Sequence, residues 1–280
     1  MKTLLILMLW ASVATATEFQ VDRDINYAGT ENRQQTLDLY RPSTGQKHPV
    51  MIWIHGGGWR AGDKGSVQHK PQAFVDRGFV FVSVGYRLIP DVTLDQMTGD
   101  IALAIHWVHE HAEQYKIDTT KVFVAGHSAG AHLAALVCTD STYLKAAGLS
   151  LGDIIGCIPV DTAVYDAHKQ ISDQSPVRSA LYRAAFGNDE QSQRRFSPIT
   201  HVAQGQGIPP FLILHVASRP DSTQQSQEFA NSLKTAGIHA ELHAALGKDH
   251  GSINRDLGLR DDVPTNVIFN FLDRQLKVEE

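Results

Sequence analysis

Val122-Phe123-Val124-Ala125-Gly126-His127-Ser128-Ala129-Gly130 passes from an apolar run straight into a glycine-flanked serine. The apolar run reads as a strand covered on both faces. Gly-x-Ser-x-Gly reads as the sharp turn from such a strand into a helix. A serine in that turn holds a strained backbone conformation, so the positions two residues to either side must be small. Gly126 and Gly130 meet that need, and Ala129 keeps the first helical turn narrow. The Ser128 hydroxyl then stands above the sheet at a helix N-terminus, whose partial positive charge favours a developing oxyanion.

Upstream, Val50-Met51-Ile52-Trp53-Ile54 runs into His55-Gly56-Gly57-Gly58-Trp59. This second strand ends in glycines whose backbone N–H groups suit an oxyanion hole. Either motif alone has a plain structural reading, because short patterns recur by chance. Two motifs that each close a strand, in this order, point to a serine hydrolase.

The rest of the chain supplies the matching frame. Residues 35–40 alternate polar and apolar, as a half-buried strand does. Residues 79–85, 154–160, 211–216 and 239–244 read as further strands. Residues 100–114, 131–137, 222–236 and 264–276 read as helices, with Gly237 ending the third and Pro264 suited to the first turn of the fourth. Strands alternating with helices predict an α/β fold, a mostly parallel sheet with helices on both faces. One long connection, 161–209, carries a helical stretch at 177–186 and reads as a lid or pocket wall.

A serine needs a base, and the base needs a carboxylate to orient it. In this fold both follow the serine, on loops after later strands. His250 lies after the last strand, in Lys248-Asp249-His250-Gly251-Ser252, and is the expected base. Asp221, in Arg219-Pro220-Asp221-Ser222 after the strand 211–216, is the expected acid. Its alternative role is to cap the helix that follows. Asp161, directly after the strand ending at Val160, is the rival acid.

The first residues read as a signal peptide. Lys2 is the positive region, residues 3–10 are mostly apolar, and Ala14-Thr15-Ala16 is a small-x-small cleavage site. That predicts a secreted or periplasmic domain spanning 17–280. The apolar run is shorter than the roughly 20 residues a membrane span needs. The whole chain carries a formal charge of −5, and −6 without Lys2, which argues against a nucleic-acid partner. Cys138 and Cys157 both lie towards the bottom of the expected sheet. They read as buried small residues or, in an exported protein, as a disulfide. His109 and His111 do not share a helix face, so the histidine-rich stretch 106–111 reads as solvated surface rather than a metal site.

On these residues the chain resembles α/β-hydrolase esterases with an HGG-type oxyanion loop, in particular the small secreted feruloyl-esterase-like branch. It is also similar to kynurenine formamidases, whose loop His-Gly-Gly-x-Trp is matched by His55–Trp59. The resemblance runs from about Gln35 to the C-terminus. It implies Gly57, Gly58 and Ala129 N–H as oxyanion donors, with His55 bracing the loop. It also implies ester hydrolysis through an acyl-enzyme, without metal or organic cofactor. The expected substrate is a small-molecule or polysaccharide-linked ester with a short or aromatic acyl group. The chain has no long N-terminal cap helix pair of the kind larger hormone-sensitive-lipase-like esterases carry. An arylformamidase would use the same residues on an N-formyl amide. A non-catalytic binding module on this fold usually lacks the serine or the histidine, and this chain keeps both.

Overall fold

The computed structural model describes residues 19–277. Its eight strands are β1 (Phe19–Asn26), β2 (Thr36–Pro42), β3 (His48–Ile54), β4 (Val80–Val84), β5 (Ile117–His127), β6 (Gly156–Val160), β7 (Phe211–Val216) and β8 (Ala240–Ala245). They form one sheet in the order β1-β2-β4-β3-β5-β6-β7-β8. β1 and β2 pair antiparallel, as do β2 and β4, and every other neighbour is parallel. The signal-peptide residues 1–16 lie outside the described residues.

The helices are α1 (Lys70–Asp76), α2 (Leu94–Glu110), α3 (Ala112–Tyr115), α4 (Ala129–Val137), α5 (Ser141–Ala146), α6 (Ala167–Asp173), α7 (Pro176–Phe186), α8 (Glu190–Arg195), α9 (Pro220–Thr235), α10 (Ser252–Arg255) and α11 (Val263–Lys277). The two-residue period of the strands divides the core into two layers. On β3, Val50, Ile52 and Ile54 face one layer, packed with Ile101, Leu133 and Phe229 of α2, α4 and α9. Met51 and Trp53 face the other, with Phe74 of α1 and Phe271 of α11. Burial on both faces explains why the central strands are near-continuous apolar runs.

β1 has no such pattern. Only an edge strand tolerates Phe-Gln-Val-Asp-Arg-Asp-Ile-Asn, whose side chains are exposed or half-buried throughout. Cys138 and Cys157 are buried and free. The Cys157 thiol donates to the Ala134 carbonyl at 3.5 Å, so the disulfide weighed from sequence is not formed. Among the described residues no helix is long and apolar enough to cross a membrane.

Candidate active site

The elbow forms because nothing larger than hydrogen fits around it. Ser128 sits between β5 and α4 at φ 57° and ψ −119°, a conformation that side-chain-bearing residues rarely hold. A Cβ on Gly126 would lie 2.4 Å from the Gly130 carbonyl oxygen, and one on Gly130 would lie 2.2 Å from that of Ile54. A Cβ on Gly56 would stand 3.1 Å from Ser128 Cβ. The oxyanion loop and the elbow are therefore pressed together backbone to backbone.

Gly57 and Gly58 take φ values of 130° and 59°, and the Gly57 carbonyl accepts from the N–H groups of Arg60 and Ala61. His55 braces this loop. Its ring lies stacked on Tyr86 with centroids 4.3 Å apart, its Nδ1–H donates to the Gly56 carbonyl at 2.8 Å, and the Tyr86 hydroxyl donates to the His55 carbonyl. Ala129 opens α4 directly after Ser128.

The serine hydroxyl lies 2.9 Å from His250 Nε2. His250 Nδ1 lies 2.6 Å from a carboxylate oxygen, and that carboxylate belongs to Asp161. Asp221 does not reach the histidine. Its Oδ1 accepts from the Ser222 N–H, and its Oδ2 stands 4.0 Å from Arg219 Nη2. The expected acid is thus replaced by its rival, and the reason is local. Pro220 opens α9 two residues earlier than periodicity suggests, because its fixed φ suits a first helical turn. That places Asp221 in the first turn of α9, with its carboxylate on the Ser222 N–H and not on His250.

Asp161 follows β6 at φ 52° and is wholly buried. Burial would raise its pKa. Hydrogen bonds from His250, the Val216 N–H and Ser222 Oγ, together with the Arg219 charge, outweigh burial and hold the carboxyl well below the usual carboxylate range. It is a fixed anion, suited to holding His250 with its proton on Nδ1. In that tautomer Nε2 is free to accept from Ser128.

Three further residues support this arrangement. His127, the unspecified position of the elbow motif, donates from Nε2 to the His250 carbonyl at 2.8 Å. Burial, then the neighbouring His250, pushes its pKa down to about 3, so it remains neutral. Arg219, two residues before Asp221, donates to Asp161 Oδ2. Lys70 is completely buried, and its Nζ donates to the Asn254 carbonyl at 2.8 Å. That bond ties the short helix α10, just after His250, to the start of α1. Arg219 lies in the loop of the expected acid, where a cation is no candidate for that role. Lys70 carries no motif, and only the fold brings it to the site; His127 stands beside Ser128 at the motif position whose residue type is unspecified.

Lys70 has a stability consequence. Its ammonium rests over Trp53, 4.8 Å from the ring centroid, and burial pushes its pKa down to about 7. Between roughly pH 7 and 10.5 the unfolded chain holds this proton and the native chain does not, so stability rises with pH across that window. Below it the full cost of a buried charge applies. Lys70→Met is expected to raise stability by about 2–4 kcal/mol near pH 6. Urea midpoints should then show the gain shrinking at pH 9. A pH-independent difference would contradict this account.

Several further aromatic and histidine side chains have structural uses. Trp59 Nε1–H donates to His132 Nδ1 at 3.3 Å, and His132 Nε2–H donates to the Phe196 carbonyl. Burial pushes the His132 pKa down to about 4, consistent with that neutral tautomer. Tyr165 is buried in a stack on Phe229. His106 pairs with Glu110, and His111 donates to the Trp107 carbonyl.

Residues 37–233 match the family BD-FAE. This chain belongs to the BD-FAE family. Esterase LipQ of Mycobacterium tuberculosis is 28% identical over 265 residues, covering 89% of this chain and 61% of LipQ. The kynurenine formamidase of Danio rerio is 28% identical over 257 residues, covering 90% of this chain and 82% of that enzyme. The BD-FAE chain spans about six-tenths of the length of several curated relatives it matches, LipQ among them. Inhibited esterase B from Lactobacillus rhamnosis superposes with a TM-score of 0.78 at 23% identity, covering 93% of this chain and 88% of that one. The fold is that of the α/β-hydrolases.

Proposed function

We propose that this chain is an exported serine carboxylesterase. The observation that carries the reading is the continuous relay from Ser128 Oγ through His250 to the buried Asp161. His250 Nε2 takes the serine proton as the hydroxyl attacks an ester carbonyl. Asp161 stabilises the imidazolium that forms, without itself taking the proton. The N–H groups of Gly57, Gly58 and Ala129 receive the developing oxyanion. The imidazolium then protonates the leaving alcohol, and water, activated by the same histidine, hydrolyses the acyl-enzyme. The signal-peptide pattern of residues 1–16 supports secretion or export to a periplasm.

The acyl side of this site favours short or aromatic groups. Leu181 of α7 stands beside the oxyanion loop, its Cδ1 3.6 Å from where a Gly58 Cβ would lie. Behind the loop, Trp59 meets Phe186 and Tyr182 edge-on, at 5.0 and 6.2 Å between centroids. This aromatic packing beside the loop supports a preference for short or aromatic acyl groups. One observation favours a second reading, as an arylformamidase: the match to the Danio rerio kynurenine formamidase covers most of that enzyme.

A panel of acetyl, butyryl, octanoyl, feruloyl and hexadecanoyl esters plus N-formylkynurenine tests both readings. The expected result is a higher kcat/KM for acetyl, butyryl or feruloyl esters than for octanoyl and hexadecanoyl. A steady rise from acetyl to hexadecanoyl would show a lipase-like tunnel. Preference for the N-formyl substrate would establish the formamidase.

A further inference from the structure

The loop after β7, where an acid was expected, presents a cation to the catalytic histidine. Arg219 Nη1 lies 2.7 Å from His250 Nδ1 and also donates to Asp161 Oδ2, the oxygen that faces the same ring nitrogen. A longer contact, 3.5 Å, runs to the Asp161 main-chain carbonyl. Arg219 is only a quarter exposed, and Asp221 lies beyond it.

We propose that Arg219 is a positioning residue that fixes the Asp161 carboxylate against His250 and disfavours protonation of the imidazole. The inference rests on the relay described above and deepens it.

Hydrogen-bond accounting carries the argument. Nδ1 has one in-plane direction, and two groups compete for it. With a proton on Nδ1, the ring donates to Asp161 and its N–H crowds the guanidinium N–H that donates to the same oxygen. Without that proton, Nδ1 accepts from Arg219, the ring's single proton sits on Nε2, and His250 is no base for Ser128. The doubly protonated ring has only the crowded arrangement, with a positive charge added beside a guanidinium that is always charged. Arg219 therefore resists the imidazolium, while its bond to Asp161 holds the anion that favours it.

The other groups around the ring leave this role to Arg219. His127 packs against it at 4.6 Å between centroids but is neutral. Lys70 is bound to the Asn254 carbonyl one turn further on. On the histidine's own loop, Asp249 receives the N–H groups of Gly251 and Ser252, and Lys248 pairs with Asp256 and Asp262. Asp221 reaches the site only through Arg219.

The test is the titration of the His250 ring, followed by NMR in the wild type, Arg219→Met, Arg219→Gln and Arg219→Lys, beside the pH profile of kcat/KM. A charge within about 4–6 Å moves a pKa by one unit or more. The neutral variants are expected to shift the His250 midpoint and the acid limb upward by about one pH unit. The lysine variant, which keeps the charge, should shift them by less. An unmoved or lowered midpoint in both neutral variants, or a shift in the lysine variant as large as theirs, overturns the proposal. The ring titrates whether or not the protein turns over esters. Failure of the esterase reading would be seen separately, as absence of ester hydrolysis by the folded wild type.

Discussion

Ser128→Ala is expected to remove nearly all ester hydrolysis, by about 10⁶ in turnover if serine, histidine and aspartate act as a unit. That corresponds to about 8 kcal/mol of transition-state stabilisation. The fold should survive. Ser128 carries the elbow strain in its backbone, and alanine adds no atom that meets Gly56 or His127. Steady-state rates on a short-chain ester, with circular dichroism to verify folding, decide the matter. A folded, fully active alanine variant would remove Ser128 from the chemistry.

The second large effect separates the two acids. Asp161→Asn is expected to cost about 10⁴ in turnover, the cost of the equivalent change in a serine protease. Asp161 Oδ1 accepts from the Val216 N–H and from Ser222 Oγ, so asparagine must keep its carbonyl oxygen there. Its NH₂ group then faces His250 Nδ1 and donates to it, which forces the proton onto Nε2. Asp221→Asn alters only a contact at the start of α9 and should change turnover by no more than a few-fold. Parallel kinetics on the two variants provide the measurement. The reverse ranking would return the acid to Asp221.

The contrast between these aspartates shows what a sequence can carry. The elbow was legible because Gly126, Ser128 and Gly130 are a steric requirement, visible wherever the chain makes that turn. β3 and β5 were legible because burial on both faces leaves no polar position. His250 was legible because the fold leaves few loops after the last strand. The acid was not, because its identity depends on where two carboxylates point across the sheet. Both follow strands that end on the same side. Asp161 turns into the site through a positive φ, a conformation that aspartate tolerates but that its residue type alone does not announce. Asp221 is diverted by the proline before it. Edge strand β1 and the seven-residue α1 are not legible for a related reason, since neither has a long enough apolar stripe to announce itself.

The contacts of the 161–209 segment bear on how substrate arrives. Tyr182 and Phe186 of α7 lie against Trp59, and the carbonyl of Phe196 is held by His132, which is itself held by Trp59. Swinging this segment away would uncover an indole that is 3% exposed and break a buried hydrogen-bond chain. The segment is joined to the oxyanion loop through Trp59. With it in place, 43% of the His250 side chain still meets solvent. His250 thus meets solvent without any rearrangement of the 161–209 segment.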